Sequence, residues 1–367
     1  MELKKLQEVY TRLQEAVCPE DFFGELIGSE EEQMEQLKKI YRPLVNDIYP
    51  DFYIDQGKAV REMATDATGM LNDLNDKATE KIKNGSYGQR TADTGASIFK
   101  FATAKREYII RSTVAEGDVS MVYSGTCSGF EGSESNVVFK LVKEITDNDL
   151  AMNEIKILKL FQSEPGPQSK HLPFLLDTFK NDTQQIGIIL RYFDGFDMHS
   201  IREKYPQGVD PKHAAWMLGR LLSVVGYSHS QGIIHGNIEP SHVLIRPRDH
   251  NIMLFGWSYG VVSPKSSGDQ YKTFNEIYGA PEIPNKPSPN PSSDIYSIAK
   301  TMIYVLGGDP ANNTMPSSVP KKFQLLLQAM VLRSPLQRLQ DAWKIYTDVA
   351  QLRNELWGKH EFIEFKM

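Results

Sequence analysis

One short segment of the chain concentrates side chains that can move protons or bind ions. From Gly232 to Ile245 it reads GIIHGNIEPSHVLI, and its polar members include His235, Asn237, Glu239 and His242. The amide of Asn237 cannot accept a proton at neutral pH, so Asn237 cannot act as a general base. No second kind of metal ligand stands at a recognisable spacing from His242, which favours a packed or solvent-facing histidine.

Two earlier segments predict strands, one with a glycine turn and one that carries a lysine. The segment TVAEGDVSMVYSG predicts two strands around a turn at Gly117, where backbone amides can approach an anion. The segment VVFK puts Lys140 on a predicted strand, and the helix LAMNEIKILKLF that follows carries Glu154. Each has a plainer interpretation, namely an ordinary hairpin, a solvent-facing strand lysine and a solvated helix glutamate.

Later segments complete an ordered series. The segment IMLFGWSYG carries Gly256, YGAPEIP carries Glu282, SSDIYSIAK carries Asp294 and SPLQRLQDA carries Arg338. With this series the region from about 106 to 352 resembles the protein-kinase family. The resemblance implies an α+β, bilobal fold in which a small β-rich lobe precedes a large helical lobe.

The resemblance also implies roles for these residues. Lys140 matches the lysine that holds the α- and β-phosphates of a nucleotide and pairs with a helix glutamate, here Glu154. Gly117 is the one glycine that remains of the three in the family's phosphate loop. These three residues are therefore the ones expected to bind a nucleotide.

A second group of matched residues supports the fold rather than the chemistry. In the family, the residues that match Glu282 and Arg338 form a buried ion pair. The residue that matches Asp294 braces the backbone of the loop that contains His235. The resemblance therefore implies structural roles for these four side chains.

Each replaced residue is one that, in the family, acts on phosphate, metal or proton. Asn237 stands for the catalytic aspartate, Glu239 for a lysine, His242 for the metal-binding asparagine and Gly256 for the metal-binding aspartate. Glu239 puts an anion where negative charge develops on a transferring phosphate. An alternative register puts Leu254-Phe255-Gly256 at the metal-binding motif, and it supplies no carboxylate either.

These replacements lead to an expectation about activity. We expect a catalytically inactive, kinase-like protein (a pseudokinase) that acts as an interaction and regulatory adaptor. It would need no cofactor and no metal, and any ATP would be bound without turnover. An alternative stays open, namely an atypical nucleotide-dependent transferase or kinase that uses rearranged residues among Glu239, His242 and Asp249.

The first 84 residues are compatible with helices almost throughout. Apolar residues recur there at spacings of three and four, as expected for one buried helical stripe: Leu3, Leu6, Tyr10, Leu13 and Val17. Two further predicted helices flank Tyr49-Pro50-Asp51, and the arrangement resembles the J domain of DnaJ-type co-chaperones, which carries His-Pro-Asp at the tip of a helical hairpin. The resemblance implies that a DnaK-type chaperone is engaged by the tip and by three cations on the preceding helix, which here are Lys38, Lys39 and Arg42.

Two departures from the J-domain pattern change that expectation. Tyr49 replaces the histidine of the signature, and Pro43 lies inside the second helix, where it costs about 3 kcal/mol. We therefore expect a J-like fold that serves docking or assembly rather than stimulation of a chaperone. A solvated helix face is an equally open interpretation of Lys38, Lys39 and Arg42.

Length and composition limit the domain organisation. The chain has 367 residues, of which 40% are apolar and 24% charged, enough to fill more than one domain. We expect a helical J-domain-like module at 1–84, a linker at 85–105, the kinase-like domain at 106–352 and a tail at 353–367.

Charge and cysteine content indicate the compartment and the partners. A net charge of -6 supplies no global basic field for nucleic acid. Cys18 and Cys127 lie far apart in sequence and indicate thiols in a reducing compartment. No segment reaches the ~18 apolar residues that a membrane span needs. We therefore expect a soluble, cytoplasmic protein whose partners are other proteins rather than nucleic acid or membrane.

Overall fold

The computed structural model of the protein describes residues 2–88, 97–129, 134–359 and 362–367. Residues 89–96 of the expected linker lie outside these described residues. Contacts divide the chain into two compact units. The first unit comprises Met1–Ala151, Phe161–Lys170 and Phe174–Tyr192, and the second comprises Met152–Leu160, His171–Pro173 and Phe193–Met367. Domain boundaries at 84, 105 and 352 remain a prediction.

The α-helices of the described residues are, in chain order, α1 (Glu2–Glu15), α2 (Pro19–Phe23), α3 (Glu30–Ile48), α4 (Lys58–Lys83), α5 (Asn148–Ser163), α6 (Met198–Lys204), α7 (Pro211–Ser230), α8 (Pro264–Ser267), α9 (Pro291–Val305), α10 (Lys321–Met330) and α11 (Ala342–Trp357). The strands are β1 (Phe99–Ala102), β2 (Glu107–Glu116), β3 (Ser120–Ser128), β4 (Glu134–Val142), β5 (Leu175–Lys180), β6 (Ile186–Arg191), β7 (Phe196–Asp197), β8 (Ile233–Ile234), β9 (Val243–Arg246), β10 (Asn251–Leu254) and β11 (Val261–Val262). This is an α+β fold with a sheet-containing part and a helical part.

Helices α1 to α4 in the first unit surround a core of their own. The apolar stripe predicted on α1 buries Leu6, Tyr10 and Leu13, whereas Leu3 at its start is 37% exposed. Helix α3 begins at a capping box, because the Ser29 hydroxyl accepts from the amide of Glu32 and the Glu32 carboxylate accepts from the amide of Ser29. The helix continues through Pro43 as expected, and it ends at Ile48.

A six-stranded antiparallel sheet completes the first unit, with strand order β1-β2-β3-β4-β6-β5. Strand β1 lies within residues expected to form the linker. Its Phe101 ring lies 4.5 Å from the Phe179 ring and 5.4 Å from the Tyr108 ring, measured between centroids. Four residues are too few to show a period of two in the sequence, and packing on the sheet decides their conformation.

The helical segment contacts the sheet within this unit. Arg106 donates to the Asp21 carboxylate at 2.9 Å, and Arg191 donates to the backbone oxygen of Ala16 at 3.1 Å. Val17 packs against the core of the sheet. Burial lowers the pKa of Arg191 to about 10, which still leaves it a cation at neutral pH. The α1–α2 junction is therefore held to the sheet by charge-assisted bonds as well as apolar contact.

The second unit is built on two buried helices, α7 and α9. Both begin with proline at the first position after a capping side chain, Asp210 for α7 and Asn290 for α9. Two small sheets have the strand orders β10-β9-β7 and β11-β8. The loop 235–242 lies between β8 and β9. Among the described residues, no helix combines the length and the apolar character that crossing a membrane requires.

Asp294 holds that loop from the first turn of α9. Its carboxylate accepts from the backbone amides of His235 and Gly236, both at 2.9 Å, and bonds His229 Nε2 at 2.9 Å. Burial by itself would raise the pKa of Asp294, but the bond and charge of His229, with the amide of Gly236, leave the pKa below its ordinary value. Asp294 is therefore an anion that fixes the start of the loop.

His235 is fixed as a neutral imidazole beneath the loop. Its Nδ1 accepts from the backbone amide of Asn237 at 3.2 Å, so the hydrogen is on Nε2, which donates to the backbone oxygen of Phe255 at 2.7 Å. The ring packs against the buried indole of Trp257, with 4.5 Å between centroids. Burial lowers the pKa of His235 to about 4.

Glu282 and Arg338 form a two-point ion pair. The Arg338 guanidinium donates to both carboxylate oxygens of Glu282, at 2.7 and 3.0 Å. Its remaining donors bond the backbone oxygens of Leu332, Ser292 and Arg333. The Arg338 side chain is 0% exposed and that of Glu282 is 11% exposed. Every donor of a buried cation is thus used, which is what makes such a pair tolerable inside a protein.

Removing either member of this pair should strongly destabilise the second unit. We expect Glu282→Gln or Arg338→Gln to lower the free energy of unfolding by about 3 to 5 kcal/mol, because one charge stays buried without its partner. Chemical denaturation measures the change, and the double variant gives the coupling energy. Glu355→Gln is the control, since Glu355 pairs with Lys322 at 2.8 Å on the surface. Equal losses in Glu282→Gln and Glu355→Gln would contradict the assignment.

The neutral state of His235 should make stability depend on pH. A folded pKa near 4 lies below the ordinary value of about 6.5, so the unfolded chain takes up this proton first. The contribution is complete above about pH 6.5 and is lost as pH falls towards 4, by about 3 kcal/mol in total. Denaturation curves across this range should show a shallower dependence for His235→Gln than for wild type or for His199→Gln, a change at an exposed histidine. Equal slopes for all three proteins would refute this prediction.

Candidate active site

The polar segment recognised in the sequence forms a loop whose side chains are held by specific bonds. Asp294 and His235 fix its first half, and Gly236 has a φ of +77°, a conformation that suits glycine. A short helical turn, Pro240–His242, ends the loop and leads into β9. The loop therefore presents Glu239 and His242 from a rigid backbone.

Glu239 is the carboxylate of this site. One of its oxygens accepts from the Ser241 hydroxyl at 2.7 Å, and the other accepts from the Asn275 amide at 2.6 Å. The Glu239 side chain is 21% exposed. It is thus oriented by two neutral donors, and part of its side chain stays open to solvent, where a substrate hydroxyl could come within hydrogen-bond reach.

His242 lies beside this carboxylate with a defined orientation. Its Nδ1 donates to the backbone oxygen of Asn237 at 2.7 Å, since a carbonyl oxygen only accepts. Its Nε2 lies 3.8 Å from a carboxylate oxygen of Glu239, and the side chain is 23% exposed. His242 therefore presents Nε2 towards the Glu239 carboxylate, at a distance too long for a direct hydrogen bond.

Gly256 and the ring of His242 occupy each other's space. A Cβ atom at Gly256 would lie 2.7 to 2.8 Å from three atoms of the His242 ring, and Gly256 has a φ of +83°. Any larger residue at 256 would have to displace that ring. The two replacements noticed in the sequence are therefore sterically linked.

The same geometry tests whether the Mg²⁺ of the kinase family fits here. Mg²⁺ requires hard oxygen ligands in octahedral geometry, and positions 242 and 256 offer an imidazole and a hydrogen atom. Within the described part of the chain, no group of three or more histidine, cysteine, aspartate or glutamate side chains could hold a metal ion. The residues present therefore do not fit Mg²⁺ in the family's arrangement.

Glu154 belongs to a second buried set of bonds in this unit. Its side chain accepts from the Ser258 hydroxyl at 2.6 Å, and the residue is 0% exposed. Asn153 next to it donates to the backbone oxygens of Ser258 and Gly260, at 2.9 and 2.8 Å. This stretch of α5 thus fixes the backbone that follows Gly256.

Lys140 and Gly117 lie in the first unit. Lys140 is on β4, opposite Val122 of β3 and Ile188 of β6. Gly117 donates from its amide to the backbone oxygen of Ser120 at 2.9 Å and closes the turn between β2 and β3. Lys140 is on a strand and Gly117 at a hairpin turn, as the sequence predicted; what they bind remains a prediction.

Asp249, the third residue of the open alternative, is engaged elsewhere. Arg246 donates to both of its carboxylate oxygens, with a shortest distance of 2.7 Å, and the amide of Asn251 donates to it at 3.1 Å. Asp249 therefore stabilises the turn before β10.

The sequence did not indicate the residues that hold the two carboxylates, namely Ser241 and Asn275 at Glu239 and Ser258 at Glu154. No spacing in the sequence separates such polar residues from ordinary loop residues.

The proposed tip of the N-terminal hairpin is exposed. The segment Pro50–Gln56 joins α3 to α4, and Tyr49 and Phe52 are 45% and 63% exposed, with ring centroids 6.0 Å apart. Asp51 lies 3.8 Å from Arg61. The three cations of α3 are exposed as well: Lys38, Lys39 and Arg42. The helices are compatible with a J-like hairpin.

Comparison with known proteins places the chain among the kinases. The family model described as protein kinase domain matches residues 108–356. Serine/threonine-protein kinase D of Synechocystis sp. is 28% identical over 187 residues, which are 47% of this chain and 35% of that protein. The fatty acyl-CoA synthetase and RNA processing-associated kinase 1 of Saccharomyces cerevisiae is 25% identical over 275 residues, 70% of this chain and 30% of that protein.

A further relative is the serine/threonine-protein kinase stk11 homolog of Dictyostelium discoideum, 25% identical over 204 residues, which are 55% of this chain and 34% of that protein. The chain thus spans about a third of the length of the curated relatives it matches.

These comparisons correct one expectation and establish the family. The expectation of a non-enzymatic adaptor, drawn from the replaced residues, is wrong on these findings, because the relatives are named as kinases and favour the alternative of an enzyme. That expectation assumed that a chain without the family's usual catalytic side chains has no group that could accept a proton. The structure, however, holds Glu239 as a partly exposed carboxylate. The match to the family model covers most of the chain, and the chain belongs to the protein kinase domain family.

Proposed function

We propose that the chain is an atypical protein kinase that transfers a phosphoryl group from ATP to a hydroxyl of a protein substrate, with Glu239 as general base. The observation that carries the proposal is the Glu239 carboxylate, bonded by Ser241 and Asn275 on the loop that the family uses for catalysis. The kinase names of the relatives support the reaction class.

In the proposed reaction, Glu239 accepts the proton of the substrate hydroxyl. The substrate hydroxyl oxygen forms a bond to the γ-phosphorus while the bond from that phosphorus to the β,γ-bridging oxygen breaks and ADP leaves. The hydroxyl proton passes to Glu239. A carboxylate repels the phosphate before the reaction, but it becomes neutral as it takes the proton, so the repulsion falls as the transfer proceeds.

His242 would assist this step from the side. Its Nδ1 is committed to the backbone oxygen of Asn237, so its Nε2 is the nitrogen that can donate to a phosphate oxygen when protonated. With Nε2 3.8 Å from Glu239, the imidazole also offers a route by which the proton leaves the carboxyl group after transfer. Both roles need the ring orientation that Gly256 permits.

In the first unit we propose that Lys140 and the turn at Gly117 contribute to nucleotide binding. A strand lysine and a glycine-containing turn between two strands are the features by which protein kinases hold phosphates. ATP is thus proposed as a substrate.

The test of catalysis is phosphoryl transfer by the purified protein. We expect wild type to phosphorylate itself or a generic protein substrate, and Glu239→Gln to lower kcat by about 10²- to 10⁴-fold, the usual worth of a general base. Transfer is measured by intact mass and by label from γ-labelled ATP, with and without Mg²⁺ or Mn²⁺. Glu276→Gln, an exposed carboxylate close to Asn275 in sequence, is the matched control.

Two outcomes would overturn this mechanism. One is absence of transfer by wild type in every metal condition. The other is a Glu239→Gln variant as active as Glu276→Gln. Thermal shift separates binding from chemistry, since a ligand stabilises the folded state by RT ln(1 + [L]/Kd). We expect ATP to stabilise wild type and Glu239→Gln alike, and Lys140→Ala less.

We further propose that α3 and α4 form a J-domain-like hairpin that contacts a DnaK-type chaperone. The exposed Tyr49, the Pro50-Asp51 step that follows it, and the cations Lys38, Lys39 and Arg42 support this. A reducing, cytoplasmic setting is also proposed, supported by the buried thiols of Cys18 and Cys127.

The tip residue should decide whether the hairpin stimulates the chaperone. We expect wild type to leave the ATPase rate of a DnaK-type chaperone unchanged, because Tyr49 replaces the signature histidine, and Tyr49→His to raise that rate. Binding should weaken with added salt, since Debye screening reduces attraction between exposed charges. Asp55→Asn, a change at an exposed acid of the same turn, is the control for Asp51→Asn. Strong stimulation by wild type that Asp51→Asn removes would overturn this expectation.

A further inference from the structure

A cavity in the second unit lies away from the catalytic loop in sequence and is lined by three cations. Its volume is about 270 Å³, and Lys212 of α7, Arg353 of α11 and Lys359 contribute to its wall. None of its described lining residues is acidic. A volume close to the lower end of ordinary ligand pockets, about 300 Å³, suits a small ligand.

The three cations have little compensating charge within the described part of the chain. Within the described ranges, none of the three side chains forms an ion pair with a carboxylate. Burial lowers the pKa of Arg353, and the nearby Arg220 lowers it further because the two cations repel each other. An anion bound in the cavity would relieve this repulsion.

Aromatic rings form the other part of the wall. The rings of Trp216 and His250 stack in parallel, with 4.2 Å between centroids and 5° between planes, and Phe362 stacks on His250 at 4.3 Å. Trp357 also lines the cavity. Trp216 is 5% exposed, so packing fixes its position before any ligand arrives. A wall already ordered reduces the entropy lost on binding.

His213 adds a hydrogen-bond donor to the same cavity. Its Nδ1 accepts from the indole Nε1 of Trp216 at 3.3 Å, so in the neutral ring the hydrogen is on Nε2. Cations, a neutral donor and flat apolar surfaces are thus gathered in one small space. That combination matches a ligand that joins a phosphate to a planar ring, because phosphate takes charge-assisted bonds and a ring packs on aromatic faces.

We propose that this cavity, called here the C-terminal pocket, binds a small phosphate monoester carried on a planar ring. The pocket would be a site additional to the proposed catalytic loop, and it does not depend on the proposed function. Arg353 and Lys359 would hold the phosphate, and Trp357 would contact the ring.

Phenyl phosphate is the probe, with inorganic phosphate and phenol as its two halves. Calorimetric titration at constant ionic strength should give the tightest binding for phenyl phosphate, weaker binding for inorganic phosphate and none for phenol. Arg353→Gln and Lys359→Gln should each raise Kd for phenyl phosphate about ten- to a hundredfold, as expected for loss of a charge-assisted hydrogen bond. Trp357→Leu should remove the advantage of phenyl phosphate over inorganic phosphate.

Controls separate this pocket from other phosphate sites. Lys321→Gln, a change at an exposed lysine of α10 outside the lining, should leave Kd unchanged. Glu239→Gln should leave it unchanged too, which keeps this test apart from that of the catalytic loop. Lys359 is exposed, so its replacement tests the pocket even if Arg353→Gln fails to fold. Absence of phenyl phosphate binding by wild type, or equal Kd values for Lys359→Gln and Lys321→Gln, would overturn the proposal.

Discussion

The candidate active site depends on the hydrogen bonds of one buried carboxylate, that of Asp294. It accepts from two successive backbone amides, those of His235 and Gly236, and it bonds His229. Burial alone would drive the group towards its neutral form, which could not accept from all three donors. Its place in the first turn of α9, where the helix dipole favours an anion, helps to keep it charged. These bonds fix the backbone of the loop, and the backbone in turn positions the side chains of Glu239 and His242.

The residues at positions 242 and 256 are sterically coupled. The ring of His242 fills the space above Gly256, and its bond to the backbone of Asn237 keeps it there. Any side chain at position 256 would meet that ring. Positions 242 and 256 therefore offer an imidazole and a hydrogen atom, and Glu239 is the carboxylate that the loop presents.

The first unit joins two structures that the sequence presents as separate. Arg106 and Arg191 reach from the sheet to Asp21 and to the backbone at Ala16, so α1 and α2 help to complete the surface of the sheet. The helical segment consequently contributes to the stability of the lobe that carries Lys140 and Gly117. A substitution at this junction would therefore alter the stability of both the helical segment and the sheet.

The sequence by itself determined the kinase-like α+β fold, because that fold depends on patterns along the chain. The spacing of apolar residues by three and four predicted α1. The ordered motifs predicted the strands and the positions of Glu282, Asp294 and Arg338. Tertiary structure decided what lies far apart in sequence. Asn275 meets Glu239 across 36 positions and Ser258 meets Glu154 across 104, and neither pair has a local signal. It also decided that Gly256 must be small, since only the folded chain brings the ring of His242 against it. Local periodicity reports which face of an element is buried, whereas the partner on that face is set by the packing of the whole unit.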